Sequence, residues 1–217
     1  MFNNMTPVVK QLLIINVLVF ILSQAMPQNY ETLSLFYFES EKFRFWQPFT
    51  HMFMHAPMPN LMHILFNMFA LVSFGSALEH YWGGKKFLFF YIACGLGAAF
   101  LHTLINYYLI SNVPEAADVI LNSQAVGASG AIYGLLVAFA VMFPMAELMM
   151  MFIPVPIKAK FFVPIIIGLD LFSGVTGFSI FSGGGNIAHF AHIGGALTGF
   201  ILMMLWRKNK FTHTRWN

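Results

Sequence analysis

Six apolar stretches, parted by clusters of charge, proline and glycine, constrain this chain more than any other feature of its sequence. They run over about 8–26, 61–78, 87–109, 129–143, 161–175 and 188–206. Roughly 20 apolar residues in helical form match the hydrocarbon core of a bilayer. Only 9% of the 217 residues are charged and 59% are apolar, with a mean hydropathy of +0.72. A soluble domain carries about 25% charged residues, and this composition equally excludes disordered, collagen-like, coiled-coil and disulfide-scaffold chains. The chain reads as an all-α membrane protein of six transmembrane helices, one domain over 1–217 with no room for a large soluble unit. Cys94 is the single cysteine, so an internal disulfide is excluded.

The first stretch has no charge after Lys10 and ends at Pro27. Its length and the lack of a small-x-small cleavage site predict a retained helix rather than a cleaved signal peptide. The segment 27–59 is too long for an ordinary connection and mixes aromatics with Glu31, Glu39, Glu41, Lys42 and Arg44. Lys and Arg collect in cytoplasmic loops. Lys85 with Lys86, Lys158 with Lys160, and Arg207, Lys208, Lys210 and Arg215 all fall on one side of a six-span topology. That predicts cytoplasmic termini and places the long first loop, the 111–126 loop and the 176–187 loop outside.

The fourth stretch is short. Its 15 residues rise only about 22 Å against a core of about 30 Å, so its outer end should begin below the membrane surface. Free helix N–H groups at that depth must be satisfied by protein or trapped water. The sequence there is Gly127-Ala128-Ser129-Gly130.

Polar side chains at membrane depth are costly, so each is a functional candidate. Ser129 is either an ordinary N-cap or a nucleophile that neighbouring glycines make approachable. His192, near the outer end of the sixth stretch, is either a hydrogen bond between helices or a base. Ala191, Gly195 and Gly199 recur every four residues around it, and Gly130 and Gly134 share that spacing on the fourth stretch. Such small-residue faces let helices pack closely, which would bring Ser129 and His192 together as a hydroxyl and the base that activates it. Tyr133 is one turn beyond Ser129, placed either to pack on the imidazole or as an ordinary packed aromatic. His63 and Asn67 share a face of the second stretch, as donors to an oxyanion or as interhelical bonds. Asp170 is the one carboxylate of the fifth stretch, either orienting a His or relaying a proton or serving structure, and its expected place deeper than His192 favours the structural role. Glu79 is expected to make a structural bond. His51, His55, His102 and His189 lack a metal-ligand spacing, and there is no His-Glu-x-x-His.

These residues together resemble the rhomboid intramembrane serine proteases. The resemblance is carried by Gly127-Ala128-Ser129-Gly130-Ala131-Ile132-Tyr133-Gly134, by His192-x-x-Gly195-x-x-x-Gly199 and by His63-x-x-x-Asn67, in the right order on the right helices. It covers about 45–206 and extends to Glu79 and Gly83. It implies a rhomboid-like bundle with a long membrane-associated first loop, in which Ser129 is the nucleophile and His192 the base of a dyad with no required carboxylate. It further implies that Tyr133 stacks on His192, and that His63, Asn67 and the Ser129 N–H hold the oxyanion. The fifth helix and the 178–187 loop resemble the family's substrate gate and cap. Where the family often has Trp-Arg, this chain has Trp46-Gln47, which leaves the dyad untouched but alters the anchoring expected of the Arg. The His55-to-His63 stretch also looks longer than in some relatives, through Pro57 and Pro59.

The implied activity is hydrolysis, through an acyl-enzyme, of single-span transmembrane protein substrates near the extracytoplasmic face of a bacterial inner membrane. Substrates are expected to have a locally unstable helix and a small residue before the cut. The implied partners are such substrates and membrane lipid, with no nucleic acid, cofactor or metal; nothing in the sequence sets an oligomeric state. The alternative is a catalytically silent rhomboid-like binder, but such relatives typically lack the Ser or the His. A transporter would show inverted repeats or paired broken helices. An aspartyl intramembrane protease needs two intramembrane Asp, whereas Asp118 and Asp170 are the only ones and Asp118 lies in a loop.

Overall fold

Each apolar stretch bonds its own backbone as a helix and leaves side chains that lipid accepts. The computed structural model describes residues 5–150, 153–177 and 186–210. Its principal helices are α1 (Pro7–Ala25), α2 (Leu61–Trp82), α3 (Gly84–Asn112), α4 (Ser129–Met142), α5 (Ala159–Thr176) and α6 (Asn186–Lys210). Five are long and apolar enough to cross a membrane, while α4 has 14 residues. This is an all-α membrane architecture.

Two helices run past the points where hydropathy fades, because their charged ends have partners. Glu79 is buried inside α2, accepting hydrogen bonds from the backbone N–H groups of Val8 (3.0 Å) and Val9 (2.8 Å) and from the Thr6 hydroxyl (2.5 Å). It thus supplies the acceptor that the first turn of α1 lacks, at the end where the helix dipole favours an anion. Lys86 in α3 places Nζ 4.0 Å from the centre of the Trp206 ring of α6, a cation–π contact.

α4 is the centre of the bundle. Gly130, Ala131, Ile132, Gly134, Leu135 and Ala138 are buried along it, and α3 and α6 pack against it. A helix that is apolar all round is stable when enclosed, so a short helix suffices here: protein, not lipid, surrounds it.

The first loop is an ordered lobe. A short helix (Tyr30–Leu33) leads into β1 (Leu35–Phe36), which pairs antiparallel with β2 (Gln124–Ala125), matching Leu35 to Ala125 and Phe36 to Gln124. This two-residue ladder ties the lobe to the strand that feeds α4. Gln47 is fully buried and does the anchoring. Its Oε1 accepts from the Phe36 N–H (3.2 Å) and its Nε2 donates to the carbonyls of Lys42 (3.0 Å) and Glu31 (3.2 Å). An arginine has no acceptor for the Phe36 N–H, so the neutral amide serves this loop by a bond the charged group lacks.

The α4–α5 connection forms a hairpin of β3 (Glu147–Met150) and β4 (Ile153–Lys158). It shares one end of the bundle with the α2–α3 turn, since Tyr81 packs on Phe143 with centroids 5.2 Å apart. Lys85, Lys86, Lys158 and Lys160 gather there. The opposite end holds the N-terminus of α4 and the start of α6.

Candidate active site

Ser129 is the first residue of α4, with Ala128 at the N-cap position and no side-chain cap bond. The N-cap reading of Ser129 is therefore set aside: its hydroxyl is not spent on the helix and lies 2.8 Å from His192 Nε2. Close contact between α4 and α6 produces this meeting. A Cβ built on Gly195 would fall 1.8 Å from the Gly130 carbonyl oxygen, and one on Gly199 would fall 2.7 Å from Gly134 Cα. Any larger residue at either position forces the helices apart and stretches the Ser129–His192 bond.

Tyr133 lies one turn along α4, its ring parallel to His192 within 9° and with centroids 4.4 Å apart. The stacking fixes the plane of the imidazole. His63 and Asn67 come from the start of α2. The Ala56 N–H donates to His63 Nδ1 (3.1 Å), so the ring proton sits on Nε2. That nitrogen faces the gap beside Ser129. A Cβ on Gly127 would lie 3.0 Å from His63 Nε2 and 3.3 Å from Ser129 Oγ, so the missing side chain of Gly127 leaves a space between a donor and a hydroxyl. Gly127 also has φ 131° and donates its N–H to the His51 carbonyl (3.0 Å). Only glycine meets both demands without strain. Asn67 donates to the His63 carbonyl (2.7 Å), which uses one of its two amide hydrogens. The Ser129 N–H is the first of the unpaired donors that begin any α-helix.

Burial in the first loop keeps two further imidazoles neutral. His55, its ring centre 5.3 Å from that of His63, is lowered to about 3 by burial and then by the neighbouring His63. His51 is lowered to about 4, again chiefly by burial.

One expectation from sequence is overturned. The sequence places Asp170 deeper than His192, yet its Oδ2 lies 2.7 Å from His192 Nδ1. The reason lies in the helix ends. Asp170 stands six residues before the end of α5 at Thr176, and His192 six residues after the start of α6 at Asn186, so each is roughly 9 Å from that end of its helix. The apolar stretch at 188–206 begins two residues inside α6, and so understates the depth of His192. His189, which the sequence offers only as a histidine without metal-ligand spacing, is a second partner of Asp170. Its Nδ1 lies 2.5 Å from the other oxygen, Asp170 Oδ1. The usable signal was the three-residue spacing of His189 and His192, which puts both on one face.

Asp170, His189 and His192 each offer a donor atom within 4.8 Å of the others. Their pairing at 2.5 and 2.7 Å is that of hydrogen bonds, tighter than the roughly 3.3 Å between neighbouring ligands of a tetrahedral zinc ion. Of the gate and cap expected at α5 and 178–187, residues 178–185 lie outside the described residues.

A family model for the rhomboid domain matches residues 42–209. Among curated relatives, the chain is 30% identical over 161 residues to Rhomboid protease AarA of Providencia stuartii, covering 72% of this chain and 54% of that protein. It is 32% identical over 155 residues to Rhomboid protease GluP of Bacillus subtilis, covering 71% and 25%. It is 28% identical over 153 residues to RHOMBOID-like protein 12, mitochondrial, of Arabidopsis thaliana, covering 69% and 44%. The chain spans about a quarter to a half of the length of the curated relatives it matches.

Proposed function

The chain belongs to the rhomboid family, and on that premise we propose that it is an intramembrane serine endopeptidase that cuts transmembrane segments of membrane proteins near the extracytoplasmic face. The observation that carries this reading is the 2.8 Å contact of Ser129 Oγ with His192 Nε2 at the buried start of α4. In the proposed reaction the Ser129 hydroxyl gives its proton to His192 Nε2 as Oγ attacks a peptide carbonyl. The oxyanion that forms accepts hydrogen bonds from His63 Nε2–H, the Ser129 N–H and the remaining Asn67 amide hydrogen. Such donors are each worth about 3 kcal/mol in hydrolases. His192 returns the proton to the departing amine, leaving an acyl-enzyme that water hydrolyses with the same base. A substrate helix hides its carbonyls in backbone hydrogen bonds, so a locally unwound segment is the one that reacts.

The clustering of Lys85, Lys86, Lys158 and Lys160 at the end away from Ser129 supports a cytoplasmic location for that end and for both termini. The host is proposed to be a bacterial inner membrane.

The reading is tested with full-length protein in liposomes carrying a single-span reporter whose helix is destabilised by glycine and proline. Wild type is expected to cut it and Ser129→Ala to leave it intact. Equal cutting by both would overturn the assignment of Ser129. Failure of wild type on every reporter, with the reporter retained on purified protein, would favour the silent binder.

A further inference from the structure

A carboxylate inside an apolar helix is expensive unless its oxygens are bonded. Asp170 on α5 has one imidazole on each oxygen: His189 Nδ1 on Oδ1 and His192 Nδ1 on Oδ2. The Asp170 side chain is 10% exposed and that of His189 9%. An ionised carboxylate only accepts, so both contacts require a proton on Nδ1. For His192 this leaves the Nε2 lone pair as the acceptor from Ser129 Oγ, the one arrangement in which it acts as a base. A neutral imidazole without such a partner divides between two tautomers, and the Nε2–H form cannot take the serine proton.

The packing that delivers Asp170 is local. A Cβ on Gly174 would lie 3.1 Å from His189 Cβ, so glycine at this position lets α5 approach α6. His189 holds the second oxygen with its ring nearly perpendicular to His192, at 84°.

We propose that Asp170, braced by His189, is a positioning residue that holds His192 in its Nδ1–H tautomer and stabilises it once it has taken the Ser129 proton, so that this protein works with a Ser129–His192–Asp170 relay and not a bare dyad. The proposal rests on the protease reading above. Among the described residues, the groups that face His192 are Ser129 and Tyr133 from α4, Asp170 from α5, His189 from its own helix and His63 from α2, and of these Asp170 is the one carboxylate. Asp170→Asn keeps the shape but presents an amide, whose N–H favours the wrong tautomer. Turnover is expected to fall by about 10² or more while KM stays within about twofold, since the interaction grows only as His192 becomes charged. His189→Gln is expected to give a smaller loss of the same kind.

A second measurement does not depend on turnover. With histidine labelled by nitrogen-15, wild type in micelles should give a His192 Nδ1–H resonance, assigned by its loss in His192→Gln. A His192 proton found on Nε2 in wild type would overturn the proposal, as would Asp170→Asn with kcat unchanged or with kcat and KM altered together. If wild type cuts no reporter, the protease reading fails, whereas the tautomer still decides whether Asp170 sets His192.

Discussion

The two ends of this bundle each bury a carboxylate, and the partners differ in kind. Glu79 meets backbone N–H groups and a threonine hydroxyl at the start of α1. Asp170 meets two imidazoles at the start of α6. Backbone dipoles neither gain nor lose protons in reach of neutral pH, so the Glu79 arrangement has one state and serves as a clamp. An imidazole nitrogen can take up a proton, so the Asp170 arrangement can answer the one that the proposed reaction places on His192. Burial alone does not distinguish a structural carboxylate from a working one; the chemistry of what it bonds does.

The sharpest way to break this comparison is to remove each negative charge in turn. Asp170→Asn should lower kcat by about 10² or more with little change in thermal midpoint. Glu79→Gln should do the reverse, leaving kcat near wild type while costing about 1–3 kcal/mol through a poorly matched N–H at the α1 terminus. That corresponds to roughly 3–10 °C in midpoint for a chain of this size. Reporter cleavage and thermal melts of both variants in the same detergent decide it, and parallel losses of rate in both would erase the distinction.

The next effect in size tests whether the space beside Ser129 is where the chemistry happens. Gly127→Ala sets a methyl between His63 Nε2 and Ser129 Oγ and strains a backbone at φ 131°. Turnover should fall by about 10², with a stability cost of order 1–3 kcal/mol. Rate loss and stability loss in step would reduce Gly127 to a backbone role.

Asn67→Ala should cost less than His63→Ala, because Asn67 already bonds the His63 carbonyl while His63 Nε2–H is left for a ligand. Losses of about 10-fold and about 10²-fold in kcat are expected, with KM little changed. Equal rates for Asn67→Ala and wild type would remove Asn67 from the oxyanion site.

How much of this was legible in sequence follows from what each contact depends on. Ser129, Tyr133, Gly130 and Gly134 lie on one helix, and His192, Gly195 and Gly199 on another, so helical spacing alone displays the small faces that let α4 and α6 touch. Asp170 was misplaced because its depth depends on where α5 ends and α6 begins, and an error of two residues there moves a side chain by about 3 Å. The β1–β2 pairing joins two-residue segments about ninety positions apart, too short to carry any periodic signal. Gln47 read as a loss relative to Trp-Arg, but its amide proved to make bonds on both its oxygen and its nitrogen. Its partners are backbone groups, which sequence does not display.

The smallest expected effect concerns the loop that supports the active end. His51 and His55 are lowered from 6.5 to about 4 and about 3 by burial, so the folded protein holds both neutral well below the pH at which the unfolded chain takes up protons. Above pH 6.5 neither form binds them and the two residues leave stability unchanged. As pH falls from 6.5 toward 4, the unfolded chain gains two protons that the folded chain refuses, and stability drops. Below about 4 His51 protonates in place and its share of the loss levels off, with His55 following near 3. His55→Phe keeps a ring of similar size packed on His63 and removes one of these sites. The fall in thermal midpoint between pH 7 and pH 4.5 should therefore be smaller in His55→Phe than in wild type by a few degrees, measured in the same micelles. Identical pH dependence in the two proteins would mean that water reaches His55 and that this loop, unlike the Glu79 clamp at the other end, is not dry.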